Sequence, residues 1–167
     1  AISGYGNLLF STDYAFHRLK KWNKTTGALF GYVGIIGTFA PTGPIDCVGY
    51  TSGMTPTWCT GGGRTSSGSG IQAYSNPLGI AADSTYVYVA NTGNHRIDRV
   101  RISDGLYMGW IGRVGTTPTD GESTCTTTAA TVYTPGWCIG GAAASTVSHE
   151  SFASIRALNY NADGFIY

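Results

Sequence analysis

The chain has 167 residues, of which 42% are apolar and only 11% charged, with a net charge of +1. The apolar fraction suffices for a core, while the charged fraction is less than half of the roughly 25% usual in soluble domains; 25 Gly and 36 Ser plus Thr fill the difference. The missing basic excess argues against nucleic-acid binding. The longest uncharged apolar stretch, ALFGYVGIIGTFA (28–40), is short of the roughly 20 residues of a membrane-spanning helix.

In chain order, residues 1–37 read as β-prone runs: LLFS (8–11), HRLKKW (17–22) and ALFGYVG (28–34), with the turn TTG (25–27) between the last two. The group Arg18, Lys20, Lys21 and Lys24 reads as a solvated strand edge. Asn23-Lys24-Thr25 fits the N-glycosylation acceptor pattern, which makes Asn23 a candidate glycan site. Residues 38–75 form an insert rich in Cys, Gly, Ser and Thr, a composition that disfavours a packed core of its own. Residues 76–114 repeat the first plan as PLGIAAD (77–83), YVYVANTGN (86–94), RIDRVRI (96–102), the turn SDG (103–105) and LYMGWIG (106–112). Runs of this kind separated by turn residues predict successive antiparallel strands. No stretch keeps the apolar spacing of a helix. Residues 115–152 are a second Cys- and Thr-rich insert, and residues 153–167 start a third copy.

The two plans superpose at a spacing of 78 to 79 residues, without a gap over the first block and with one residue inserted before the second. TDYAFHRLKKWNKTTGALFGYVG (12–34) lies on ANTGNHRIDRVRISDGLYMGWIG (90–112), TPTWCTGG (55–62) lies on TPGWCIGG (134–141), and ALNYNADGFIY (157–167) echoes AISGYGNLLF (1–10). A fixed period predicts an array of like structural units. The chain starts and stops at the same point of this period, inside the second strand of a unit, so it reads as a window on a longer repetitive chain or as a subunit completed by its neighbour.

Cys47 and Cys59 fall on Cys125 and Cys138. Pairing within each insert keeps the repeats alike. Zinc is the rival reading, but its ligands normally stand about two to four residues apart, and neither pair does. Disulfides are therefore expected, and with them an oxidising compartment, extracellular or at the cell surface.

The run NPLGIAADSTYVYVANTGNHRIDRV (76–100) resembles an NHL repeat, the unit of one class of β-propeller. The inserts resemble those of long secreted bacterial proteins that carry many such repeats. The resemblance implies an all-β fold of tandem four-stranded antiparallel blades with disulfide-stapled inserts. It also implies that His17, Arg18, His95 and Arg96 tie a strand to the neighbouring turn by hydrogen bonds. Some members of that family are lyases holding zinc on histidines, a role open in principle to His17 and His95.

Chemistry is otherwise sparse. His149 and Glu150 form a lone pair on a Ser-rich stretch. GGGRTSSGSG (61–70) lacks the closing Lys-Ser/Thr of a phosphate loop, and SGSG (67–70) lacks the strand and helix of a nucleophile elbow. NADG (161–164) reads as a hairpin turn rather than a calcium loop. No catalytic residue, metal or cofactor is expected. The expectation is a non-enzymatic structural protein of an extracellular fibre or surface assembly, whose partner is itself through strand or blade stacking, with glycans as further candidates. The alternative is a closed propeller that binds a protein or glycan.

Overall fold

The computed structural model describes residues 1–37, 40–63, 67–145, 152 and 154–167. Strands β1 (Ile2–Tyr5), β2 (Leu8–Asp13), β3 (Arg18–Asn23) and β4 (Leu29–Gly34) form a four-stranded antiparallel meander. The first insert contributes the small ribbon of β5 (Pro41–Thr42) and β6 (Thr60–Gly61). A second meander follows with β7 (Pro77–Ala82), β8 (Tyr86–Asn91), β9 (Arg96–Arg101) and β10 (Tyr107–Ile111). Beyond it come β11 (Val114–Thr116), β12 (Asp120–Gly121), β13 (Cys138–Ile139) and β14 (Ala142–Ala143). β13 pairs with β10 and β12 with β13, so the second sheet has six strands in the order β12-β13-β10-β9-β8-β7, while β11 and β14 pair separately.

The predicted all-β class and antiparallel pairing are present. The expected propeller of tandem blades is not. The described sheets hold four, two, six and two strands, and none closes into a ring. The two meanders and the hairpin near the end of the chain stack face to face in series, and no described strand pairs the last of them back to the first. A run of strands with Asn- and Gly-rich turns is common to antiparallel sheets of many folds. The first sheet also begins with a whole strand, Ile2–Tyr5, rather than inside its second one.

Strand alternation puts the two faces of each sheet to different uses. Phe10, Leu19 and Val33 of the first sheet project toward the second and meet Ile80, Val87, Val89 and Val100, with Trp58 and Tyr74 from the first insert closing the same core. Full burial of each such side chain contributes about 1.5–3 kcal/mol. Polar pins cross the seam. Thr12 Oγ1 donates to the Leu78 carbonyl (2.7 Å), and Lys21 Nζ (2.7 Å) and Trp58 Nε1 (3.0 Å) both donate to the Ile102 carbonyl. Lys21 is thus not part of a solvated edge. It lies half-buried between the sheets with its ammonium 5.3 Å from the Trp58 ring centre, and burial pushes its pKa down.

Both expected disulfides are present, Cys47–Cys59 and Cys125–Cys138. Their second cysteines do the same job in each half. Cys59 exchanges backbone hydrogen bonds with Tyr32 on β4 (2.8 and 3.0 Å), and Cys138 pairs with Trp110 on β10. The insert backbone lies so close to the fourth strand that only glycine fits beside it. A Cβ on Gly31 would stand 2.8 Å from the Trp58 carbonyl carbon, and one on Gly109 2.9 Å from the Cys138 oxygen. The inserts therefore do not float; each is stapled and laid along its own sheet.

Sequence separations of 12 and 13 between the paired cysteines imply that each staple contributes about 3 kcal/mol by loop-closure entropy. Denaturant unfolding of a Cys47→Ser/Cys59→Ser variant should show a stability loss of about that size. Intact protein should take up no thiol reagent until it is reduced.

Candidate functional site

The residues singled out by the repeat occupy related but unequal settings. His17 and His95 both take left-handed backbone angles, φ 51° and 54°, at the turn between the second and third strands of their sheets. His17 Nδ1 accepts the Asn76 N–H at 3.2 Å, which ties the first sheet to the segment entering the second. The Nδ1 of His95 is buried without a hydrogen-bond partner. Among the described residues no group of three or more His, Cys, Asp or Glu could hold a metal ion. His149 and Glu150 lie outside the described residues.

Arg96 is almost wholly buried. Its Nη1 donates to the Ser69 carbonyl at 3.1 Å and its Nη2 to the Gly70 carbonyl at 2.7 Å, while Nε lies 2.7 Å from Asp98 Oδ1. Asp98 also accepts from Asn91 Nδ2 and, at 2.9 Å, from the Tyr107 hydroxyl. Burial pushes the Asp98 carboxyl upward, against the pull of Arg96, Asn91 and Tyr107. Arg18, at the matching place in the first sheet, is partly exposed. It stands 3.4 Å from Asp13 Oδ2 and over the rings of Phe16 and Tyr32. Lys20 lies where Asp98 does in the repeat and reaches the same Asp13 oxygen at 2.6 Å. One sequence position thus serves a sealed network in one sheet and a solvated ion cluster in the other.

Asn23 is engaged in its own turn. Its Oδ1 accepts the N–H groups of Thr25 and Thr26, each at 2.9 Å. This turn borders a groove of about 240 Å³ on the outward face of the first sheet, lined by Ile2, Leu9, Ser11, Trp22, Asn23, Lys24 and Gly27. Ile2 is 72% exposed. The Trp22 indole N–H donates to Ser11 Oγ at 2.9 Å, which leaves the ring as one wall of the groove.

On the repeat, Leu9, Ser11 and Trp22 correspond to Val87, Val89 and Val100. In the second sheet those three valines are buried against the first sheet. The outward face of the second sheet is covered in turn. Ala81, Tyr88, Ile97 and Ile111 pack under Phe152, Ile155, Leu158, Tyr160 and Ile166. A Cβ on Gly79 would stand 2.7 Å from the Ala157 carbonyl carbon. Thr92 Oγ1 donates to the Ile155 carbonyl at 2.6 Å. The Tyr160–Ile166 bridge and the paired backbone hydrogen bonds of Asn159 and Tyr167, 2.8 Å each, make residues 159–167 a hairpin like that of β1 and β2. The repeat shows where this stacking surface is in the sequence, through its alternating apolar residues; nothing in the sequence told which of the two faces is left bare.

Neither a family model nor a curated protein matches this chain. The expected membership of the NHL-repeat family is therefore not supported, by comparison or by fold.

Two outcomes are expected from these settings. Arg96→Met strands a buried carboxylate and should cost about 3–5 kcal/mol, whereas Arg18→Met should cost no more than about 1 kcal/mol; urea unfolding of the two variants reads the contrast. Burial also raises the phenol pKa of Tyr32, Tyr74, Tyr88 and Tyr107. The neutral phenols favour the folded chain, so their contribution is whole below the unfolded value of about 10 and is lost as pH climbs beyond it. A spectrophotometric titration should show these tyrosines ionising only together with alkaline unfolding.

Proposed function

We propose that the chain is a non-enzymatic structural module that works by stacking its sheets on further copies or repeats of itself in an extracellular fibre or surface layer. One observation supports this reading above the others: the same pair of faces meets twice within one chain. The first sheet meets the second, the second meets the hairpin 159–167, and the first sheet's outer face bears the matching groove.

The two disulfides suit an oxidising compartment. No helix among the described residues is long and apolar enough to cross a membrane. With charged side chains at only 11%, little repulsion opposes close approach of copies. Glycans on the exposed threonines of the inserts would supply solubility where charge does not.

The reading predicts concentration-dependent association. Sedimentation velocity of the oxidised chain should show the average mass rising with concentration, and negative-stain images of the concentrated sample should show filaments of uniform width. A chain that stays monomeric at every concentration reached would refute it.

A further inference from the structure

The seam between the two sheets is organised around one aromatic and cationic triad, and the chain carries that triad a second time. In the first half Phe10, Lys21 and the insert residue Trp58 cluster on the face that meets the second sheet. Phe10 and Trp58 ring centres are 6.2 Å apart, and Lys21 sits over Trp58. Trp58 Nε1 and Lys21 Nζ converge on a single acceptor, the Ile102 carbonyl, at the mouth of the turn after β9. In the second half the repeat puts Tyr88, Arg99 and Trp137 at the same three places. Tyr88 and Trp137 ring centres are 5.6 Å apart, and the Arg99 guanidinium lies 4.4 Å from the Trp137 centre. The acceptor side is duplicated as well. Ile102 corresponds to Lys24, and Lys24 lines the groove on the first sheet together with Trp22, Asn23 and Gly27.

We infer that the groove of the first sheet is the docking site for the outer face of the second sheet of another copy. Its Tyr88–Arg99–Trp137 triad sits against Leu9 and Trp22, and its Trp137 and Arg99 donors are directed at the Lys24 carbonyl. This rests on the stacking function proposed above and names its partner surface. The occupant is a second copy because the chain already holds both halves of the contact at positions equivalent to those of the internal seam, with Ser11 and Trp22 where the seam has Val89 and Val100. The association is head-to-tail and heterologous, since the two mating faces differ, so it propagates rather than closing as a dimer.

The hairpin 159–167 bears on this contact. Leu158, Tyr160 and Ile166 cover the part of the second sheet that β1 and β2 of an incoming copy would cover, and Tyr160 stacks on Tyr88 at 6.1 Å. The described hairpin is held by the Tyr160–Ile166 bridge and the two backbone bonds between Asn159 and Tyr167. An incoming sheet supplies four strands, and adds the Trp22 wall and the turn that meets Trp137. The hairpin therefore acts as an internal cap that the incoming sheet displaces.

Sedimentation equilibrium of the full oxidised chain tests the inference with three variants, each checked by far-UV circular dichroism and thermal melting for retained fold. Trp22→Asp, on the groove side, should weaken association at least about tenfold. Leu158→Asp loosens the cap and should strengthen association. Combining the two should abolish that gain, which separates a specific contact from general stickiness. If Trp22 proves needed for folding, Leu9→Lys reads the same wall. Wild-type association that neither groove variant reduces, in folded protein, would overturn the docking site while leaving self-assembly standing. Stronger association of Leu158→Asp that survives Trp22→Asp would also overturn it. A wild-type chain that never associates would instead overturn the function on which the inference rests.

Discussion

A β-sheet gains stability from each apolar face that is removed from water, and an antiparallel sheet can leave one face to solvent; this constraint governs the whole molecule. The second sheet has both faces covered. Val87, Val89 and Val100 are sealed by the first sheet, and Tyr88 and Ile97 by Phe152, Ile155, Leu158, Tyr160 and Ile166. The first sheet is covered on one side only. Phe10, Leu19 and Val33 are buried while Leu9 and Trp22 line an open groove. Other features follow from this. The inserts are folded down along the sheet edges so that Trp58 and Trp137 can fill the gap beside the fourth strands. The disulfides hold the inserts there. The glycines at 31 and 109 permit the approach.

The same constraint explains why equal sequence positions differ so much in chemistry. Arg96 and Asp98 are sealed under Ser69, Gly70 and Ala73, the segment that leads into the second sheet. No described segment lies over the matching corner of the first sheet, so Arg18, Lys20 and Asp13 stand partly in water there. A buried pair needs every remaining donor and acceptor matched, and Asn91 and Tyr107 provide the matching. A solvated cluster tolerates loose geometry and contributes little. Burial, together with the exchange of Asp98 and Asn91 for Lys20 and Asp13, decides which of the two is a network on which stability depends.

Much of this was legible in the chain. The strand runs of the second half lie close to where the alternation of Val, Tyr and Ile put them. Pairing of Cys47 with Cys59 and of Cys125 with Cys138 followed from keeping the repeats alike. The propeller did not follow. A meander with glycine and asparagine turns states how each strand meets the next, and says nothing of the angle between one sheet and the next or of whether a series closes. Lys21 was misplaced for a related reason. Its neighbours Arg18, Lys20 and Lys24 suggest a solvated edge, but strand alternation turns it to the opposite face from Arg18 and Lys20, into the seam.

What the sequence alone determined is local and periodic: the all-β class, the order of strands within each meander, the repeat, and the cysteine partners. These depend on side-chain alternation, turn chemistry and spacing, all readable within a few tens of residues. Tertiary structure decided the rest: that β12 and β13 leave the second insert to widen its sheet, that Trp58 and Lys21 share one carbonyl, that Arg96 is sealed and Arg18 is not, and that the groove on the first sheet remains open. Each of these depends on which surface is removed from water by a segment distant in the chain, and no local pattern encodes that distance.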